Sequence, residues 1–146
     1  MRVFSYVQES SRYCNYSKSK FNNQITFIIP SDVELSVGEY KSLVHIWENV
    51  NTKETISRDY PDAVTIFLDG LQDSERSYFN LIQSGWKPEQ ARRVLVGDTK
   101  TEIFVTGFVS DWKHFFDLRC APAAHPDMRK LANELKEKFN DEKINF

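Results

Sequence analysis

Apolar and polar positions alternate with a strand-like period in three stretches of this chain. Residues 3–8 (VFSYVQ) and 101–109 (TEIFVTGFV) read as strands. Residues 24–30 (QITFIIP) read more clearly still, being β-branched and aromatic and stopped by Pro30. Between the first and second of these in chain order, Asn22-Asn23 marks a turn. A helical period is expected elsewhere. Ser36 is placed to cap a helix reaching about Val50, with Tyr40, Leu43, Val44 and Trp47 on one face. An acidic loop follows, with a short strand at 63–68, and Asp73 or Ser74 starts a helix to Ser84 that ends at Gly85. Pro88 opens a short helix. Ser110 caps another, whose Trp112, Phe115 and Phe116 form its apolar face. Pro126 opens an amphipathic helix with Met128, Leu131, Leu135 and Phe139 in a stripe. The class is α+β: a central antiparallel or mixed sheet with flanking helices, in one domain over residues 1–146.

Composition adds a sizeable core and removes some partners. The 146 residues include eleven Phe, six Tyr and three Trp, enough apolar volume for one packed domain. A net charge of −2 offers no field for polymeric nucleic acid or an anionic membrane, so neither is expected as a partner. Charge is unevenly spread: residues 1–30 hold four basic and one acidic side chain, residues 31–85 four basic and ten acidic. The positive excess of the opening suits a local anion such as a phosphate. With two cysteines, Cys14 and Cys120, and no signal-type apolar segment, two free thiols and a cytoplasmic location are expected.

Three short runs carry candidate chemistry. Gln8-Glu9-Ser10-Ser11-Arg12 combines a forked cation with hydroxyls, the ingredients of a phosphate cradle; a solvated loop is the plainer reading of the same residues. In PEQARRVL, Arg92 and Arg93 point about 100° apart on a helix, so they cannot share a face. In HFFDLR, His114 falls on the polar side and Arg119 at the helix end, where a cation complements the dipole. His45, His114 and His125 have no metal-ligand spacing, and no metal is expected.

The order of these runs is more specific than any one of them. Arg2-Val-Phe-Ser5 with Gln8 to Tyr13, then Pro88 to Val96, then His114 to Arg119, resembles the signatures of the flavin-dependent thymidylate synthases, the ThyX or thymidylate-synthase-complementing family. The resemblance covers residues 2–139. It implies methylation of dUMP to dTMP, with methylenetetrahydrofolate as one-carbon donor, NADPH as reductant and FAD as cofactor, in a homotetramer. It implies that Gln8, Glu9, Ser10, Ser11, Arg12 and Arg92 hold dUMP, with Arg12 and Arg92 on its phosphate side. Arg119 would face the uracil as the catalytic cation, while Arg2, Gln8, Phe108, Val109, Ser110 and His114 would lie along FAD. Four departures accompany it. Met1 stands at the position of the family's His, and the preceding Arg and N-terminal segment are missing. Val96 replaces a Pro, and Phe108 a polar residue. An N-terminally shortened member is expected, the alternative being a non-catalytic remnant that binds nucleotide or assembles with a full-length homologue.

Overall fold

The computed structural model describes residues 4–59 and 61–144. The α+β class holds, with four α-helices and two small antiparallel sheets among the described residues. The chain divides into two compact units: one of residues 1–9 and 102–146, the other of residues 10–101.

In the first unit, β1 (Phe4–Gln8) pairs antiparallel with β5 (Ile103–Gly107), placing Phe4 opposite Gly107 and Gln8 opposite Ile103. Gly107 is required there, because a Cβ would collide with the Phe4 ring. That ring packs edge-on against Trp112 at 5.0 Å on α3 (Val109–Arg119). Trp112 and Phe116 in turn meet Phe139 of α4 (Pro126–Asp141) at 5.1 and 5.6 Å. The aromatic face expected of α3 is therefore the core of this unit. On α4 the inward stripe is shifted from the expected one. Ala132 is fully buried and Phe139 packs inward, whereas Leu131 is 58% exposed.

The second unit contains a three-stranded meander, β2 (Tyr40–Ser42), β3 (Ile46–Asn49) and β4 (Thr55–Ser57), and two helices, α1 (Ala63–Gln83) and α2 (Pro88–Ala91). Cys14, Tyr16, Ile25, Tyr78 and Ala91 form its core cluster. Tyr78 has no exposed surface; its hydroxyl accepts from Tyr16 N (3.4 Å) and donates to the Cys14 carbonyl (3.3 Å).

Several expected elements differ. The helix over 36–50 is instead the β2–β3 hairpin: Trp47 and Asn49 are buried while Ile46 and Glu48 are not, a period of two. The Ser36 carbonyl accepts from the Tyr40 hydroxyl and Asn49 Nδ2, and Ser36 caps no helix. The strand at 63–68 is the start of α1. Asp62 Oδ1 accepts from Thr65 N (2.9 Å), and this cap outweighs the β-branched run AVTI. Asp73 and Ser74 therefore lie inside α1, and buried Ser74 donates to the Val94 carbonyl at 2.8 Å. The run 24–30 forms one bridge, Phe27 to Thr99, rather than a strand. Ser110 is not the cap of α3: Phe108 is, and Asp111 turns back to accept its N–H at 3.3 Å.

Candidate functional site

Within the second unit, the opening motif is a tight turn. The Ser10 carbonyl accepts from Tyr13 N (2.9 Å) and Cys14 N (3.1 Å), while Ser10 Oγ accepts from Arg12 N (3.3 Å). A hydroxyl that closes its own backbone turn leaves the neighbouring side chains pointing outward. Cys14 then anchors the turn by entering the core. Arg12 is exposed, its guanidinium 5.5 Å from the Tyr13 ring centroid.

Helix α2 is fixed through the same core. Pro88 occupies its first turn, Gln90 Oε1 accepts from Lys87 N (3.0 Å), and Ala91 is fully buried in the cluster that holds Cys14. This common anchor brings the two sequence motifs together. Arg12 Nε lies 3.7 Å from Glu89 Oε2, and Glu89 sits one helical turn before Arg92. Arg92 and Arg93 fall in a 3-10 turn, Arg92–Val94, rather than continuing the α-helix; both are exposed, with no partner among the described residues. Glu89 is the site residue that sequence reasoning missed. Its signal was the acidic position beside a proline-started helix, which by itself reads as dipole complementation.

In the first unit, Gln8 ends β1 as an exposed side chain, and Glu9 N extends the ladder to the Glu102 carbonyl (2.7 Å). Phe108 precedes α3 and is 77% exposed, and Val109 and Ser110 form the first turn. Their N–H groups have no protein acceptor among the described residues, as is usual for a helix start. His114 and Arg119 are exposed on α3, Arg119 at its last residue, and neither has a partner among the described residues. Arg2 lies outside the described residues. The candidates thus divide, with Gln8, Glu9, Phe108, Val109, Ser110, His114 and Arg119 in one unit and Ser10, Ser11, Arg12 and Arg92 in the other.

Both cysteines are free thiols, Cys14 buried and Cys120 half-buried at the end of α3. Among the described residues no three His, Cys, Asp or Glu side chains come together as a metal site, and no helix is long and apolar enough to cross a membrane.

The chain is thus an α+β protein in which a Ser-x-Arg turn shares a core with a proline-started helix followed by an arginine-bearing 3-10 turn. The comparisons narrow that class. Residues 1–142 match the family described as thymidylate synthase complementing protein, and the chain belongs to that family. It is similar to the flavin-dependent thymidylate synthase of Pyrococcus furiosus, at 31% identity over 138 residues, covering 94% of this chain and 46% of that protein. The Geobacter sulfurreducens enzyme of the same name is 26% identical, covering 92% of this chain and 46% of its own. The Pyrococcus abyssi one is 27% identical, covering 94% and 46%. The chain spans about half the length of these curated relatives.

Proposed function

We propose that this chain acts as a flavin-dependent thymidylate synthase, converting dUMP to dTMP with methylenetetrahydrofolate, FAD and NADPH. The observation that carries the reading is the 3.7 Å approach of Arg12 to Glu89 on α2. It sets the Ser-x-Arg turn beside α2 and the 3-10 turn that bears Arg92, with Glu89 holding the cation that an incoming phosphate would take over. In this reading Ser10, Ser11, Arg12 and Arg92 bind the dUMP phosphate, with Gln8 and Glu9 on the rest of the nucleotide. Arg119, with no carboxylate partner among the described residues, stabilises negative charge on the uracil imide as the catalytic cation.

The residues around α3 fit a flavin dinucleotide. Phe108 is an exposed aromatic residue, and the N–H groups of Val109 and Ser110, unpaired among the described residues, start an eleven-residue helix where a diphosphate is electrostatically favoured. His114, Gln8 and Arg2 would complete those contacts. Bound flavin would supply the redox chemistry, accepting and passing on reducing equivalents from NADPH, while the chain orients dUMP and excludes water. Homotetrameric assembly and a cytoplasmic location belong to the same proposal.

Absorbance spectroscopy tests it. After incubation with FAD and removal of the excess, the protein is expected to retain a perturbed flavin band that strengthens with dUMP, and to oxidise NADPH only when dUMP is present. A folded protein that stays colourless with and without dUMP overturns the reading. The Arg12→Ala variant is expected to weaken dUMP by roughly one to two orders of magnitude, as loss of a charge-assisted contact does, while FAD retention changes little. Equal losses of both ligands would remove Arg12 from the phosphate.

A further inference from the structure

Residues 24–30 run extended without joining either sheet, and their backbone pairs with another backbone segment along one edge only, that facing residues 98–100. Ile28 N donates to the Asp98 carbonyl (2.8 Å) and Lys100 N to the Thr26 carbonyl (2.9 Å). In an extended antiparallel segment the intervening residues direct their N–H and C=O groups to the opposite edge. Ile25 confirms that direction, since its N–H meets Glu75 Oε1 of α1 at 2.8 Å. Phe27 and Ile29 follow with the same orientation, and among the described residues their N–H and C=O groups have no hydrogen-bond partner.

This open edge borders a groove of about 400 Å³ running between the segment, residues 35–40 and α1. Ile29, Leu35, Val37 and Leu71 give it apolar walls. Glu39 and Glu75 are the charged groups among its lining residues, which include neither lysine nor arginine. Glu75 spends one carboxylate oxygen on Ile25, and the other has no partner among the described residues. Such a lining is unfavourable for phosphates and carboxylates and favourable for a cation.

We propose that this groove binds an extended peptide segment bearing apolar residues and a lysine or arginine. The segment adds to the open edge at Phe27 and Ile29 as a new strand. Main-chain hydrogen bonds supply affinity, as in strand addition generally, and the apolar walls and Glu75 supply selectivity. A peptide fits better than a flat heterocycle because the open groups recur every second residue, about 6.6–6.8 Å apart, which is the repeat of a strand. The site does not depend on the nucleotide and flavin assignments.

The test uses a fluorescein-labelled, end-blocked peptide of alternating valine and threonine with a central lysine, titrated into the full chain. Saturable binding is expected at about 10–100 µM, with slowed amide exchange at Phe27 and Ile29. N-methylation of alternate peptide residues on one edge is expected to weaken binding about tenfold, and on the other edge to leave it unchanged. Replacing the lysine by glutamate should weaken it by a similar factor. In Glu75→Gln, whose amide oxygen still accepts from Ile25 N, the preference for lysine over glutamate should fall several-fold without loss of helical circular dichroism. No saturable binding, equal losses from both N-methylated sets, or unchanged exchange at Phe27 and Ile29 would each overturn the proposal.

Discussion

The hydroxyl of Tyr78 serves two backbone groups at once, and this makes it the most consequential single polar atom in the second unit's core. It satisfies the Tyr16 N–H and the Cys14 carbonyl, tying the residues just after the Ser-x-Arg turn to the middle of α1. Tyr78→Phe keeps the ring and removes both of these hydrogen bonds. A loss of about 1–3 kcal/mol in a denaturant titration is expected. Burial also raises the Tyr78 pKa above its ordinary value of 10.0. A raised folded value means that its contribution is fully present below the unfolded pKa near 10 and is lost as pH rises towards the folded one. The wild type should therefore lose stability above about pH 10 more steeply than Tyr78→Phe. Parallel curves for the two proteins would remove Tyr78 from the alkaline transition.

Helix α1 shows how one cap decides an element that its own residues leave ambiguous. Its first turn, AVTI, carries strand formers, but Asp62 accepts from Thr65 N and the Thr65 hydroxyl donates to the Ser57 carbonyl (3.0 Å), closing the start of the helix. The Thr65 amide, the largest influence, holds the Asp62 carboxyl below its ordinary 3.8. A depressed folded value gives stability that is present above the unfolded pKa of about 3.9 and is lost as pH falls through the folded one. Asp62→Asn retains a capping oxygen but not the titration. Its melting temperature at neutral pH should stay near wild type, while its decline below about pH 4 becomes shallower. An unchanged acid slope would show that the cap is not charge-dependent.

The same contrast explains which elements were legible. The helices opened by Pro88 and Pro126 announce themselves through punctuation, as do β1 and β5 through alternation, and they appear where expected. The 36–50 segment did not, because Tyr40, Leu43, Val44 and Trp47 have helical spacing by coincidence. Trp47 is fixed instead by Asp69, which accepts from its indole N–H (3.0 Å) and from Arg58 (2.8 Å), partners distant in sequence. For the candidate site, motif order made the arginines and serines legible. The Glu89 counter-ion was not, since its pairing with Arg12 depends on Cys14 and Ala91 sharing one core.

At the scale of the molecule, the candidate residues fall into two groups with different chemistry. One unit carries Ser10, Ser11, Arg12 and Arg92 around the turn and α2, a set suited to a phosphate. The other carries the exposed Phe108, the open start of α3 and Arg119, a set suited to an aromatic dinucleotide and a uracil. If the proposed roles hold, the ligands should protect different peptides from hydrogen exchange. FAD alone is expected to slow exchange at residues 108–112. Adding dUMP should slow it at residues 10–14 and 88–94, because ordering a turn and a short helix around a phosphate raises their local opening free energy. Glu89 sharpens the forecast: as the carboxylate beside Arg12, it competes with an incoming phosphate for the same cation. Glu89→Gln should therefore bind dUMP more tightly, by about two- to fivefold at low salt and less at high salt, with FAD unaffected. Weaker dUMP binding by this variant would mean that Glu89 positions Arg12 for the phosphate instead of holding it in reserve.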